Sequence, residues 1–192
     1  MDDVFTVLAA DHERILALSG RLTDGAAPTP PEPKQRKAIA DELVMELSQH
    51  EVAEEMLLWP AVRDRADDGE ELCATALEQE ATGKRLLNEL VKTSPDNEEF
   101  DTLTHSVAAM LRGHISYEQN IVWPRLRLKL SQEEASRLGV QIADAKRRAP
   151  TRPHPHVPAQ PELLKKIAPA AAVLDKARNA MVRRPVTGGS PR

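Results

Sequence analysis

A chain of 192 residues, 41% of them apolar, is long enough to bury a core and suits one domain with an appendage. Aromatic residues are only 3% and glycines number 8, which favours helix over sheet. No apolar run approaches the roughly 18 residues of a membrane span, and a single cysteine excludes an internal disulfide framework.

The start, MDDVFTVLAADHERI, is acidic and amphipathic and does not read as a secretory signal. The expectation is a soluble, cytoplasmic protein without a membrane partner. Charge is uneven: residues 1–149 carry 18 Lys+Arg against 28 Asp+Glu, whereas 150–192 carry 8 against 2. The basic tail is expected to dock on the acidic body in preference to nucleic acid.

Val4, Leu8, Ile15 and Leu22 form a helical stripe in the first segment. DGAAPTPPEP (24–33) reads as a proline-rich loop, and a long helix follows from about Lys34 to Leu58 with Ile39, Leu43, Leu47 and Leu57 inward. Pro60 is expected to end or kink it. After the turn RADDGEE, a third helix runs to about Lys92 with Cys73, Ala76, Leu87 and Leu90 on its stripe. Ser94 reads as the N-cap of a fourth helix, with Pro95 in its first turn and Leu103, Val107, Met110, Leu111, Ile121 and Val122 inward. SQEE (131–134) is a capping box that opens a shorter helix to about Arg148. An extended proline-rich connector (149–161), a helical stretch (162–183) interrupted at Pro169 and a disordered end complete the expectation. Four long amphipathic helices with short connections make an all-α antiparallel four-helix bundle, residues 1–130, with an additional short helix, 131–149, and a C-terminal extension, 150–192.

One phrase occurs twice. HEVAEEMLLWP (50–60) and HISYEQNIVWP (114–124) align His50 with His114, Glu54 with Glu118, Trp59 with Trp123 and Pro60 with Pro124. A lone HxxxE carries little weight. Here, however, each of the four helices sets a His or Glu in the middle of its apolar face: His12, His50 with Glu54, Glu80, and His114 with Glu118. Burying such groups costs several kcal/mol per ionised side chain unless something compensates. A metal cluster is the economical compensator. Imidazole and carboxylate suit iron or manganese, and the missing thiolates disfavour structural zinc.

These residues resemble the hemerythrin-like proteins of the HHE cation-binding family, whose motif matches His12, His50/Glu54 and His114/Glu118. The connector and last helix also resemble the C-terminal extensions of actinobacterial members. The resemblance implies two Fe ions, oxo- or hydroxo-bridged and spanned by the two HxxxE glutamates, with Mn or Zn as lesser alternatives. It also implies a histidine on the third helix, but in EQEATGKRLLNEL that slot falls on Glu80, which periodicity independently places inward. Glu80 is therefore expected to be a carboxylate ligand, whose charge favours the oxidised metal pair over reversible O2 carriage.

The functional expectation is a catalase-like oxidoreductase that decomposes hydrogen peroxide. The alternative is an O2, NO or iron binding or sensing protein without turnover. Tyr117 and Glu51 are expected to lie beside the ligands, Glu51 at the edge of its stripe. His105 is read as surface, and His154 and His156 as caps of local backbone. Cys73 is too far along its helix to reach the cluster, and the tryptophans are expected to close the core at the helix ends.

Overall fold

The computed structural model describes residues 2–23, 32–154, 164 and 169–175. The helices are α1 (Val4–Thr23), α2 (Pro33–Ala53), α3 (Trp59–Arg65), α4 (Gly69–Lys92), α5 (Glu98–Tyr117), α6 (Trp123–Arg127) and α7 (Gln132–Arg148). Two five-residue π-helical turns, Glu54–Leu58 and Glu118–Val122, join α2 to α3 and α5 to α6 without a break. No helix among the described residues is long and apolar enough to cross a membrane. Residues 24–31, where a proline-rich loop is expected, residues 155–163 with His156, residues 165–168 and the basic end 176–192 lie outside the described residues.

α1 packs on α2 and α5, and α4 on α2 and α5, which closes a four-membered antiparallel ring. α7 lies across α1 and α2. Gly139 permits this approach: a Cβ there would sit 2.8 Å from backbone atoms of Asp2 and Asp3. The expected capping box on Ser131 and Glu134 starts α7, with both reciprocal hydrogen bonds formed.

α5 begins differently from expectation. Its N-cap is Asn97, whose Oδ1 accepts from the Glu99 N–H at 3.0 Å, not Ser94. The Ser94 carbonyl instead accepts the Asn97 N–H at 3.0 Å, closing a turn with Pro95 in its second position, where a fixed φ is favoured.

Neither Pro60 nor Pro124 stops its helix. A proline ring clashes with the carbonyl four residues back in an α-helix. The wide π turn relieves this clash, with the Trp59 N–H reaching the Glu54 carbonyl and the Trp123 N–H that of Glu118. The extra residue per turn also shifts the inward phase. Leu58 is fully buried and Leu57 only partly, so that stripe moves by one; of the expected pair Ile121 and Val122, Val122 is fully buried and Ile121 is 38% exposed.

The core is two apolar clusters separated along the bundle axis. One holds Leu8, Leu58, Trp59, Val122, Trp123 and Leu126; the other holds Ile15, Leu47, Leu87, Phe100, Val107 and Leu111. Each buried Leu or Phe contributes about 1.5–3 kcal/mol, which is the reserve that lets a polar layer sit between them. The sequence order requires that layer. His12 lies between Leu8 and Ile15, His50 and Glu54 between Leu47 and Leu58, and His114 and Glu118 between Leu111 and Val122.

Candidate metal centre

His12, His50, Glu54, Glu80, His114 and Glu118 are each at most 2% exposed. They form two groups of potential ligand atoms: His12, His50, Glu54 and Glu118 in one, and Glu54, Glu80 and His114 in the other, with the atoms of each group within 4.8 Å of one another. Glu54 belongs to both. Glu118 also faces both, with Oε2 at 3.1 Å from His12 Nε2 and Oε1 at 2.9 Å from His114 Nε2. In the first group the Nε2 atoms of His12 and His50 are 3.2 Å apart, and His50 Nε2 is 3.3 Å from Glu54 Oε2.

Each imidazole turns Nδ1 toward a polar neighbour and presents Nε2 to the centre; at His114 and His12 that neighbour is within hydrogen-bond distance. His114 Nδ1 lies 2.9 Å from the Gln79 side-chain oxygen, and His50 Nδ1 lies 3.6 Å from Asp11 Oδ2. The Gln119 amide meets His12 Nδ1 at 3.1 Å. With its nitrogen donating, His12 carries its proton on Nε2; after a half-turn the amide oxygen accepts Nδ1–H, and Nε2 is free to ligate. Such orienting partners fix tautomer and ring direction at metal sites. Asp11 is itself held by Lys146 Nζ, 2.6 Å from Oδ1, so α7 reaches the centre through α1.

The carboxylates carry the argument for a metal. Both oxygens of Glu54 and of Glu118, and Glu80 Oε2, are buried and accept no well-aligned hydrogen bond among the described residues, although imidazole Nε2 atoms adjoin Glu118 and Glu54. A domain's whole stability is only about 5–15 kcal/mol, so several ionised, unpaired carboxylates cannot all persist there. Burial, with Glu118 and Glu80 adding repulsion, drives the Glu54 pKa far up, and burial with Glu55 and Glu51 does the same to Glu80. Burial also pushes up Glu118, but the His114 and His12 imidazoles outweigh it and hold that group low. Burial lowers His50 to about 4 despite Asp11, leaving it neutral at ordinary pH. Burial lowers His114 too, but the neighbouring Glu118 outweighs it and leaves His114 raised. Imidazole nitrogens and orphan carboxylate oxygens are the donor set of a hard or borderline cation, and the residues present fit such ions.

The other expectations are placed as follows. Glu51 is buried instead of lying at the stripe's edge, but it belongs to neither ligand group. Tyr117 does not face the centre: its hydroxyl donates to the Leu72 carbonyl at 3.3 Å. His105 is exposed, and its Nδ1 meets the Asp101 carbonyl at 2.8 Å. His154 contacts a side chain, Asp175 Oδ2 at 3.2 Å, not backbone. Cys73 is buried outside both groups and donates to the Trp59 carbonyl at 3.2 Å. The tryptophans do more than close the core. Trp59 donates its indole N–H to Glu80, and Trp123 stacks on His12 with centroids 5.3 Å apart.

Asp11, Gln79 and Gln119 were not anticipated. Each adjoins a ligand candidate in sequence (His12, Glu80 and Glu118), where a polar residue flanks the inward stripe, and that adjacency was the available signal.

Residues 3–126 match the model of the hemerythrin HHE cation binding domain. An uncharacterised hemerythrin-like protein of Schizosaccharomyces pombe is 25% identical over 146 residues, 76% of this chain and 72% of that one. A DNA nickase of Nostoc sp. is 24% identical over 140 residues, 73% of this chain but 38% of the relative, so this chain spans well under half its length. The crystal structure of a hemerythrin HHE cation binding domain-containing protein from Mycobacterium kansasii shares the fold, with TM-score 0.66 and 22% identity over 95% of this chain and 99% of that one. The all-helical bundle, the paired HxxxE glutamates and the matched span agree: the chain belongs to the hemerythrin HHE cation binding domain family.

Proposed function

We propose that this protein is a di-iron oxidoreductase that decomposes hydrogen peroxide, with His12, His50, Glu54, Glu80, His114 and Glu118 as its metal ligands. The observation that carries this reading is the pair of ligand groups sharing Glu54, with the two Glu118 oxygens facing one group each. His12 and His50 would hold one ion, Glu80 and His114 the other, and Glu54 and Glu118 would span the two. An iron pair bound there would supply a two-electron redox couple, able to take two electrons from one hydrogen peroxide, releasing O2, and return them to a second, releasing two waters.

The protein's own groups set the conditions for that chemistry. The two apolar clusters exclude bulk water from both ends of the polar layer, which strengthens every charge inside it. Glu80 brings a third carboxylate where an imidazole would be neutral, and its negative charge favours the higher metal oxidation state over the reduced pair that reversible O2 carriage needs. Gln79 and Gln119 hold the His114 and His12 rings in place through Nδ1, and the Asp11 carboxylate stands beside the His50 ring.

The test is metal analysis of the purified chain, followed by oxygen release on adding peroxide. Two irons per chain and sustained O2 evolution are expected. A stable, reversible O2 adduct of the reduced protein without peroxide turnover would overturn this reading in favour of carriage or sensing.

A further inference from the structure

Beside the centre, on the flank of α2 next to His50 and Glu54, lies a second polar site. Ser48, Glu51, Glu55 and Lys84 line a cavity of about 30 Å³, and the C-terminal extension covers it through Pro150, Pro153 and Leu164. The cover is built in: Asp175 Oδ2 accepts the N–H groups of Thr151 and Arg152 at 3.1 Å each, while Leu164 and Ala172 are buried.

The cavity's wall is incomplete in a specific way. Ser48 Oγ, Glu51 Oε2 and Glu55 Oε2 belong to side chains at most 2% exposed and have no hydrogen-bond partner among the described residues. Lys84 Nζ donates to Glu55 Oε1, leaving further ammonium protons for an acceptor. Gly83 makes room for this arrangement, because a Cβ there would stand 3.0 Å from Glu51 Oε1.

Those groups define the occupant. Glu55 Oε2, on the carboxylate that Lys84 holds, requires an O–H or N–H donor, while Ser48 and the Glu51 carboxyl can each donate or accept, so the occupant must do both. Lys84 requires an acceptor, which an ammonium ion lacks. O2 and NO carry no proton to donate. The volume admits about one or two water-sized molecules. We propose that this cavity binds one small hydroxylic molecule, hydrogen peroxide when it is present and water otherwise, as a waiting site beside the metal centre. The inference rests on the peroxide reading above for its biological sense, but the binding itself does not require turnover. Glu55 adjoins Glu80 as well as Lys84, so the site borders the ligand layer directly.

Two measurements test it. In high-resolution crystals of the full chain loaded with redox-inert zinc and soaked in hydrogen peroxide, two-oxygen density is expected in contact with Ser48, Glu51 and Glu55. An empty cavity, or water unchanged by the soak, overturns the proposal. In the iron-loaded protein, Ser48→Val fills the cavity and removes its hydroxyl. It is expected to raise KM for peroxide about fivefold or more, as for loss of one hydrogen bond, with metal content unchanged and kcat affected less. An unchanged KM overturns the proposal. Should Ser48→Val fail to fold, Ser48→Ala removes the hydroxyl without adding volume and is expected to shift KM in the same direction. If the wild-type protein bound peroxide in the crystal but released no O2, the functional reading would fail and this site would stand.

Discussion

The indole N–H of Trp59 donates to the carboxylate of Glu80, tying the first residue of α3 to the middle of α4. The contact explains why a tryptophan follows the HxxxE phrase at position 59: the π turn carries the ring back over the centre instead of out to the helix end. Trp59→Phe keeps most of the apolar volume and removes the donor. Lost orienting partners typically cost about 10–100-fold in metal affinity, and a loss in that range is expected in chelator-competition titrations, confined to the second ion bound. A second-ion affinity equal to that of the wild type would show that Glu80 needs no such support.

Glu80 itself can be removed. Its group otherwise offers Glu54 and His114, while the first group keeps all of its members. Glu80→Ala is therefore expected to lower bound metal from two ions per chain toward one, read by elemental analysis after gel filtration. Retention of two would retire Glu80 as a ligand.

Asp11 connects the centre to α7, with one carboxylate oxygen 3.6 Å from His50 Nδ1 and the other 2.6 Å from Lys146 Nζ. Breaking a buried ion pair from one side costs about 3–5 kcal/mol, but Glu46 remains 3.5 Å from Lys146 and softens the loss. Asp11→Asn is expected to cost about 2 kcal/mol by urea unfolding of the metal-free protein, near the value for a charged hydrogen bond. Combined with Lys146→Met, the double variant should lose less than the sum of the two single changes. Strict additivity would mean that the Asp11–Lys146 contact contributes nothing.

Much of this was legible in the chain. The inward positions of His12, His50, Glu54, Glu80, His114 and Glu118 follow from a 3.6-residue period counted from neighbouring leucines, because each helix buries one face. The π turns were not legible: periodicity assumes a constant pitch, and a proline reads as a helix end unless the preceding turn widens. That is why Leu58 is buried where Leu57 is expected inward, and why Val122 is buried as expected while its neighbour Ile121 is not. Tyr117 misled for a related reason, since adjacency to Glu118 says nothing of which flank a side chain takes. The contacts of Asp11, Gln79 and Gln119 depend on which helices are neighbours, and a single sequence does not encode that pairing locally.

Cys73 is fully buried, and burial raises its thiol to about 11. At pH 8 about one molecule in a thousand then carries the thiolate, the reactive form. A thiol-reactive disulfide reagent is expected to leave the folded protein untouched and to titrate one thiol per chain once denaturant is added. Rapid labelling of the native protein would contradict the buried hydrogen bond to Trp59.

The capping box of α7 makes a pH-dependent contribution. Hydrogen bonds from the Ser131 backbone N–H and side chain, with Arg65 adding charge, lower Glu134 to about 2, below the usual 4.5 of a glutamate. A carboxyl whose folded pKa is depressed contributes stability when ionised, so the contribution is present above the unfolded value and is lost as pH falls toward the folded one. The urea midpoint of the metal-free wild type should therefore exceed that of Glu134→Ala at pH 6, and this advantage should shrink between pH 4.5 and 2. Exposed carboxylates are screened, so the effect should be small and should weaken further with added salt. A difference independent of pH over that window would show that the helix start is held by Ser131 alone.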